Sequence, residues 1–192
     1  AQDGITRKFF IVQARPETVS VRHVAGIYQQ YAWDETQRSA ARVLARGSAI
    51  GRAAVRGRAR VISHLNGNTQ VHSGDIIVTE MTDPDWLPLL RHASGIITNR
   101  GGRTCHSAII SRELGIPCIV GSGNATEAIR SGTDVTVSCA EGATGNVYAG
   151  RLEFEIKRVD FSEIPATRTK VMFNVADPEQ AFQLSTMPYD GV

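Results

Sequence analysis

The residues with the most evident chemical capacity lie in one short run, residues 98–113, which carries two glycines, arginines and a histidine. A strand-like stretch leads into Gly101 and Gly102, and the pattern then predicts a helix capped near Thr104. Free backbone N–H groups and the positive end of a helix dipole favour an anion at such a place. Glycines permit unusual turns and let a phosphate approach the backbone closely. The run therefore predicts an anion-binding loop in front of a helix.

His106 falls in the first turn of this predicted helix. The positive end of the helix dipole disfavours a second proton on the ring, and a neutral imidazole nitrogen is a nucleophile. Arg103 adds positive charge and hydrogen-bond donors for a phosphate. This combination suits covalent phosphoryl transfer, because a phosphoryl group on the ring would place its negative charge at the same helix end.

Two other interpretations of His106 stay open on the residues alone. A histidine in the first turn of a helix is commonly a surface or capping residue, and a Gly-Gly pair before a helix is common. A thiol catalyst made of Cys105 and His106 is the second alternative. Neighbouring residues on a helix point about 100° apart, so these two side chains are expected to pair poorly.

Alternating strand and helix patterns surround this run from about residue 45 to residue 155. Asp83 followed by Pro84 predicts the start of a short helix, and Gly115 predicts the end of the helix that carries His106. Asn124 is expected to cap another short helix. Strands are predicted at residues 58–63, 75–81, 95–99 and 116–120, and a hairpin at 134–139 with 146–149. This alternation predicts an α/β fold.

The two ends of the chain follow other patterns. Residues 24–46 are predicted to be helical, because Ala, Gln, Arg and Leu dominate and neither Pro nor Gly interrupts them after Ile27. The remaining predicted elements are a strand at 8–16, a linker at 160–169, a strand at 170–175 and a helix at 179–184. One strand and one helix cannot bury their own apolar faces, and the chain does not begin with Met, so we expect a fragment of a larger protein.

The composition is that of an ordinary globular protein, with 192 residues, 42% hydrophobic and 21% charged. The net charge of +2 is uninformative about nucleic acid, and the arginines from Arg42 to Arg60 are interpreted as a solvated face, so we expect no nucleic-acid partner. No apolar run reaches the ~20 residues of a membrane span, so we expect no membrane partner. Cys105, Cys118 and Cys139 fit neither a disulfide framework nor a zinc site, which indicates reduced thiols, a cytoplasmic location and no metal site.

The segment from Gly101 to Pro117 resembles the phosphohistidine signature of the phosphoenolpyruvate-utilising enzymes, over more than fifteen consecutive positions. Within that family, Thr104-Cys105 before the histidine is most similar to the phosphoenolpyruvate synthase branch. Pyruvate phosphate dikinases and enzyme I of the sugar phosphotransferase system tend to have Thr-Ser-His there. The resemblance implies that His106 accepts and passes on the phosphoryl group. It also implies that the phosphate is bound by Gly101, Gly102, Arg103 and Thr104.

The flanking segments resemble the same family. Residues 11–18 resemble the end of its ATP-grasp domain, where the residues matching Gln13 and Arg15 help to hold ATP, and strand-edge packing is their alternative role. Residues 169–192 resemble the entry to its (β/α)8 barrel, which binds pyruvate and phosphoenolpyruvate. The implied organisation is the end of an ATP-grasp domain at 1–20, a helical connector at 21–46, a swivelling β/β/α phosphohistidine domain at 47–157, a linker at 158–169 and the start of the barrel at 170–192.

The reaction implied by the resemblance converts ATP, pyruvate and water into AMP, phosphoenolpyruvate and phosphate. Its implied partners are pyruvate or phosphoenolpyruvate and the enzyme's own ATP-grasp and barrel domains, with Mg²⁺ bound by residues outside this chain. The chain alone is expected to be inactive, because catalysis needs both neighbouring domains. The alternatives are the phosphocarrier domain of a pyruvate phosphate dikinase or an enzyme I-like phosphotransferase, and a non-catalytic interaction fragment.

The resemblance also implies a regulatory role for Thr104. In the family, the threonine two residues before the catalytic histidine is phosphorylated by a regulatory kinase/phosphorylase. A phosphate there would bring roughly −1.5 to −2 charges to the helix end that the phosphoryl group on His106 needs. The simpler alternative is a helix cap, worth about 1 kcal/mol.

Overall fold

The computed structural model describes residues 27–66, 69–160, 168–175 and 189–191. Nine strands and four α-helices are assigned within these ranges, together with one short 3₁₀ helix at Pro84–Trp86. The strands are β1 Ile27–Trp33, β2 Val43–Ile50, β3 Ala54–Val61, β4 Ile76–Thr79, β5 Gly95–Thr98, β6 Cys118–Val120, β7 Asp134–Ser138, β8 Thr144–Ala149 and β9 Phe154–Asp160. The helices are α1 Glu35–Ala40, α2 Leu87–Leu90, α3 His106–Leu114 and α4 Ala125–Ala128.

Seven of the strands close into a barrel in the order β2-β6-β5-β4-β3-β7-β8. The pairs β3–β4, β4–β5 and β5–β6 are parallel, and the pairs β2–β6, β2–β8, β3–β7 and β7–β8 are antiparallel. The α/β class predicted from the sequence is confirmed, with the strands closed into a barrel. Because β4, β5 and β6 run in the same direction, their carboxyl ends meet at one edge of the barrel.

The parallel strands are buried on both faces, which is why they are nearly continuous apolar runs in the sequence. Alternate residues of β4 divide between two cores: Ile76 and Val78 point to one, and Ile77 to the other. The first core fills the barrel with small and branched side chains from all seven strands. The second lies outside it, where Trp86, Leu90 and the apolar face of α3 cover the parallel strands. Burial on both sides therefore holds these strands rigidly.

The helix predicted at residues 24–46 is wrong. Over the described part of that range the structure has β1, the six-residue helix α1 and β2. Intrinsic helix propensity favours Ala, Gln and Arg, but pairing with distant strands overrides it. β1 pairs along its whole length with β9, and β2 lies between β6 and β8. These partners are far apart in the chain, so local composition carried no sign of them.

β1 and β9 form a two-stranded antiparallel sheet of their own, called here the arm. Its register runs from Ile27 opposite Asp160 to Trp33 opposite Phe154. Where the arm meets the barrel, the Trp33 ring lies 5.0 Å from the Phe154 ring and 6.3 Å from the Tyr148 ring of β8. Beyond that contact the side chains of β9 are exposed. The arm is therefore fastened to the barrel at one end.

The tail differs from its prediction. Within residues 168–175 the predicted strand is reduced to a single bridge, in which Met172 pairs with Gly191. Exposed apolar side chains such as Val171 and Met172 leave no packed layer there that would extend a strand. The predicted strand at 8–16 and the predicted helix at 179–184 lie outside the described residues. Among the residues that the structure does describe, no helix is long and apolar enough to cross a membrane.

Candidate functional site

Three loops meet at the carboxyl edge of the parallel strands. They follow β4, β5 and β6 and comprise residues 80–83, 99–105 and 121–124. The second of them leads into α3, whose first residue is His106. Crevices outside the carboxyl ends of parallel strands are where ligands commonly bind in α/β proteins. The fold therefore places the sequence-predicted run at the edge best suited to a site.

Gly101 and Gly102 have different reasons to be glycine. Gly101 has a φ of 116°, and a Cβ there would lie 2.8 Å from the Cys105 Sγ. The backbone therefore needs glycine at this position. A Cβ on Gly102 would meet nothing within 4 Å, so open space surrounds that residue. Gly101 makes the turn, whereas Gly102 leaves room beside it.

Cys105 is the N-cap of α3, which corrects the prediction that Thr104 is the cap. The Cys105 carbonyl accepts the first helical bond from the Ile109 N–H at 3.1 Å, and the Cys105 N–H donates to the Gly102 carbonyl at 3.0 Å. That turn places Thr104 outside the helix, where it is exposed. Cys105 forms no side-chain cap bond. No side chain of the cap residue thus occupies the anion-attracting end of the helix.

His106 is half-buried and lies against the loop that follows β4. Its Nδ1 is 3.1 Å from the Oγ1 of Thr82, a residue with 6% of its surface exposed. The contact joins side chains that are 24 residues apart. Burial fixes the Thr82 side chain, and Thr82 in turn contacts one nitrogen of the His106 ring. The contact therefore orients the imidazole ring.

Arg103 is exposed in the loop, and its carbonyl oxygen is held by an arginine of α3. The Arg112 Nη1 donates to that carbonyl at 2.8 Å. This contact ties the turn in front of α3 to the helix itself. The Arg103 side chain therefore extends from a turn that is anchored next to His106.

Cys105 and His106 have different partners. The Cys105 Sγ lies 3.0 Å from the Ser107 Oγ, while the His106 Nδ1 faces Thr82. All three cysteines are free thiols. Burial raises the pKa of the Cys118 thiol far above its usual range and that of Cys139 to about 12, so neither forms a thiolate readily. The described contacts give no support to a thiol catalyst.

The structure brings five sequence-predicted residues together, four on the loop after β5 and one at the start of α3: Gly101, Gly102, Arg103, Thr104 and His106. Gln13 and Arg15 lie outside the described residues. Sequence reasoning missed Thr82 and Arg112. Thr82 could have been found from the predicted alternation of strands and helices, since parallel β4 and β5 would place their following loops side by side. Nothing in the sequence pattern distinguishes Arg112 from other helix arginines.

In the described part of the chain, no three His, Cys, Asp or Glu side chains come together in a way that could hold a metal ion. The family resemblance implies that Mg²⁺ is bound by residues outside this chain.

The candidate site lies within a part of the chain that matches a family model. Residues 71–142 match the family model described as "PEP-utilising enzyme, mobile domain". That range includes β4, β5, α3 and His106. Residues 71–142 are therefore similar to the mobile domain of the PEP-utilising enzymes.

Proteins similar to the chain include phosphoenolpyruvate synthases. The chain is 48% identical to the synthase of Aquifex aeolicus over 100% of its own length and 22% of the relative. It is 50% identical to that of Escherichia coli strain K12, over 100% of its length and 24% of the relative. The chain thus spans about a quarter of the length of the curated relatives it matches. A solved structure of Enzyme I aligns with 40% of this chain over 32% of the Enzyme I chain. The sequence identity is 32% and the TM-score is 0.35.

Proposed function

We propose that this mobile domain carries a phosphoryl group on His106 between two substrates. The contact of the His106 Nδ1 with Thr82 is the observation that supports this most directly. A carrier histidine needs one ring nitrogen held and the other available, and the Thr82 contact satisfies the first requirement. The start of α3 satisfies a further one, because its backbone N–H groups attract the anion that the ring would carry.

We propose that the Thr82 Oγ1 accepts this hydrogen bond, which would select the reacting nitrogen. When the His106 Nδ1 carries the proton and donates it to the Thr82 Oγ1, the Nε2 keeps its lone pair. The Nε2 is then the nucleophile, and the ring needs no further change of tautomer after it has been phosphorylated. The reverse arrangement, with the Thr82 hydroxyl donating, would place the proton on Nε2 and block attack.

The loop residues are proposed to bind the phosphate. The open space around Gly102 admits a phosphate to the backbone, and the Arg103 guanidinium supplies charge and paired N–H donors. The Thr104 hydroxyl is exposed at the same turn and adds a donor. No cap side chain has to be displaced from the end of α3.

The reaction proposed for the whole enzyme is that of the phosphoenolpyruvate synthases it resembles. The His106 Nε2 attacks the β-phosphorus of ATP, and AMP leaves with the electrons of the broken bond. Water then attacks the terminal phosphorus and releases phosphate. Pyruvate then loses a methyl proton to a base, and its enolate oxygen takes the remaining phosphoryl group, which gives phosphoenolpyruvate and returns the lone pair to His106.

The larger organisation is part of the same proposal. A swivelling domain at residues 47–157 would move between an ATP-grasp domain, to which Gln13 and Arg15 would belong, and a barrel that begins near residue 170. Mg²⁺ would be bound by those neighbouring domains. We keep the cytoplasm as the expected compartment, because all three cysteines are free thiols.

Replacement of His106 tests the proposal. A full-length enzyme containing this chain, incubated with labelled phosphoenolpyruvate, should acquire an acid-labile, base-stable phosphate on the protein. His106→Asn should abolish the label, because the amide side chain has no nucleophilic nitrogen. A label that survives this substitution would show that another residue carries the phosphate.

The reacting nitrogen is tested separately. Phosphorus NMR of the labelled protein should show the Nε2 isomer of phosphohistidine. Thr82→Val keeps the shape of the side chain and removes its hydroxyl, so the rate of labelling should fall by about 10- to 100-fold. Thr82→Ser is the matched control and should stay near the original rate. An Nδ1 isomer in the original enzyme would contradict the assigned role of Thr82.

A further inference from the structure

Asn99 is the first residue after β5 and is 7% exposed. Its side-chain amide nitrogen donates to the Glu80 Oε2 at 2.7 Å and to the Thr126 Oγ1 at 2.6 Å. Its Oδ1 accepts from the Thr126 backbone N–H at 3.2 Å and from the Ser122 hydroxyl at 3.4 Å. Both donors and the acceptor of this amide are thus fully used.

These bonds join all three loops of the carboxyl edge. Glu80 belongs to the loop after β4, Ser122 to the loop after β6, and Thr126 to the first turn of α4. The predicted cap of α4, Asn124, stands at the N-cap but makes no side-chain cap bond, and Asn99 supplies that bond from across the edge. One side chain therefore fixes the position of three separate segments.

Glu80 extends the connection toward the reacting side chain. Its Oε1 pairs with the Arg100 Nε at 2.7 Å, and its backbone carbonyl accepts from the Arg100 N–H at 2.9 Å. Glu80 is two residues before Thr82, and Arg100 is six residues before His106. The bonds around Asn99 thus tie together the two strand ends that lead to the Thr82–His106 contact.

We propose that Asn99 is a positioning residue for phosphoryl transfer, which holds the loop carrying Thr82 at the distance that keeps His106 in its reactive tautomer. This inference rests on the proposed function of His106. The Thr82–His106 contact depends on two loops that are not adjacent in sequence. A relative shift of about 1 Å would break that hydrogen bond and would free the ring to exchange its proton between the two nitrogens.

Nitrogen-15 NMR of the histidine side chains tests this without any substrate. In the original chain, the His106 Nδ1 should carry the proton. Asn99→Ala should increase the population of the Nε2–H tautomer. Asn146→Ala is the matched control, since it also removes a side-chain amide bond, from Asn146 to the Glu141 Oε2 at 3.3 Å, but on β8. The control should leave the His106 tautomer unchanged.

Phosphorylation of the full-length enzyme provides the second measurement. Asn99→Ala should lower the rate of His106 phosphorylation by about 10- to 100-fold with little change in the KM for ATP. If Asn99→Ala unfolds the protein, two substitutions of Thr126 test the proposal instead. Thr126→Ser keeps the hydroxyl that Asn99 contacts and should behave as the original, whereas Thr126→Val should shift the tautomer and slow the reaction.

A double-mutant cycle distinguishes positioning from general stability. Thr82→Val removes the hydrogen bond to His106 that Asn99 is proposed to position. In that background, Asn99→Ala should therefore lower the rate of His106 phosphorylation much less than it does alone. Independent, multiplying effects would overturn the proposal, and so would an unchanged tautomer and rate in folded Asn99→Ala. If neither the original enzyme nor any variant acquires phosphate on His106 but the tautomer shifts as expected, the proposed phosphoryl transfer fails, and only the effect of Asn99 on the His106 ring stands.

Discussion

The carboxyl edge of the barrel and the arm are both built from short segments, yet they are held in opposite ways. At the edge, loops are tied by hydrogen bonds to buried groups, such as Thr82 to His106 and Ser122 to the Thr98 carbonyl. The arm meets the barrel where the Trp33 and Tyr148 rings are in contact, and just before β9 the Arg56 Nη1 lies 2.9 Å from the Glu153 Oε2 in an exposed ion pair. The first kind of contact is directional, and the second tolerates sliding.

This difference matches two different needs of the proposed carrier domain. Phosphoryl transfer depends on placing a nitrogen and a phosphorus within a few tenths of an ångström, so the edge must not move internally. The arm joins the barrel to what precedes and follows it, and aromatic and exposed ionic contacts there cost little to rearrange. We therefore expect substitutions at the edge to change chemistry, and substitutions in the arm to change stability.

The largest effect is expected from a negative charge at Thr104. Thr104→Asp should nearly abolish phosphorylation of His106, because the carboxylate would occupy the anion-attracting end of α3, repel the phosphates of ATP and favour the protonated ring. Labelling of the full-length enzyme measures this. Since Thr104 is exposed and lies outside the helix, the thermal midpoint should stay unchanged.

Two matched variants control the Thr104 experiment. Thr104→Ser keeps the hydroxyl, and Thr104→Asn has nearly the shape of Asp without its charge, so both should retain substantial activity. Wild-type turnover in Thr104→Asp would remove the mechanism by which phosphorylation of this threonine could regulate the enzyme.

The two glycines of the loop should separate stability from activity. Gly101→Ala is expected to cost about 1–3 kcal/mol of unfolding free energy, because alanine is strained at a φ of 116° and its Cβ would press on the Cys105 Sγ. Gly102→Ala should leave the thermal midpoint unchanged and slow phosphorylation, since its methyl group fills the space proposed for the phosphate. Equal midpoints for the two variants would contradict this division of roles.

Trp33 is expected to contribute to the stability of the arm and to have no effect on His106 at the carboxyl edge. Trp33→Ala removes the ring that contacts Phe154 and Tyr148, and should cost about 2 kcal/mol of stability, with more rapid hydrogen exchange in β1. Gln29→Ala, at an exposed position of the same strand, is the control and should change stability by less than about 0.5 kcal/mol. A shifted His106 tautomer in Trp33→Ala would show that arm and edge are coupled.

The smallest effect is a pH dependence beneath the arm. Burial, and then the hydrogen bond from its hydroxyl to the Glu141 Oε2 at 2.8 Å, raise the pKa of Tyr148 to about 12. The unfolded chain binds fewer protons than the folded one between a pH of about 10 and about 12, so stability should fall across that window. Tyr148→Phe should flatten this fall in chemical unfolding experiments. An unchanged slope would exclude Tyr148 as its source.

Much of the site could be predicted from sequence because its determinants are local. The strand patterns of β4 and β5, the Gly101–Gly102 turn, the start of α3 and its end at Gly115, which has a φ of 69°, are all encoded within a few residues. The cap of the 3₁₀ helix was predicted for the same reason: the Asp83 side chain accepts from the Asp85 N–H at 2.9 Å.

Two of the failures depend on contacts between residues far apart in the chain, and the third depends on the geometry of a turn. The sequence pattern predicts a helix in place of β1, because no local signal marks its partner, β9, which lies more than a hundred residues away. The role of Asn99 depends on three loops that meet only after the barrel closes. The cap of α3 was misplaced by one residue, since the 3.0 Å bond from Cys105 to Gly102 depends on the local turn and not on residue preference. A local sequence pattern predicts neither long-range strand pairing nor the geometry of a turn.

The register of the arm has a mechanical consequence. Residues 27 and 160 face each other at its outer end, and residues 33 and 154 at the barrel. A force that pulls residues 27 and 160 apart acts on one facing pair of residues at a time. The two strands therefore separate pair by pair and resist only weakly. The closed barrel shares such a load among seven strands. A force applied at the outer end of the arm would therefore separate β1 from β9 before it reached the residues around His106.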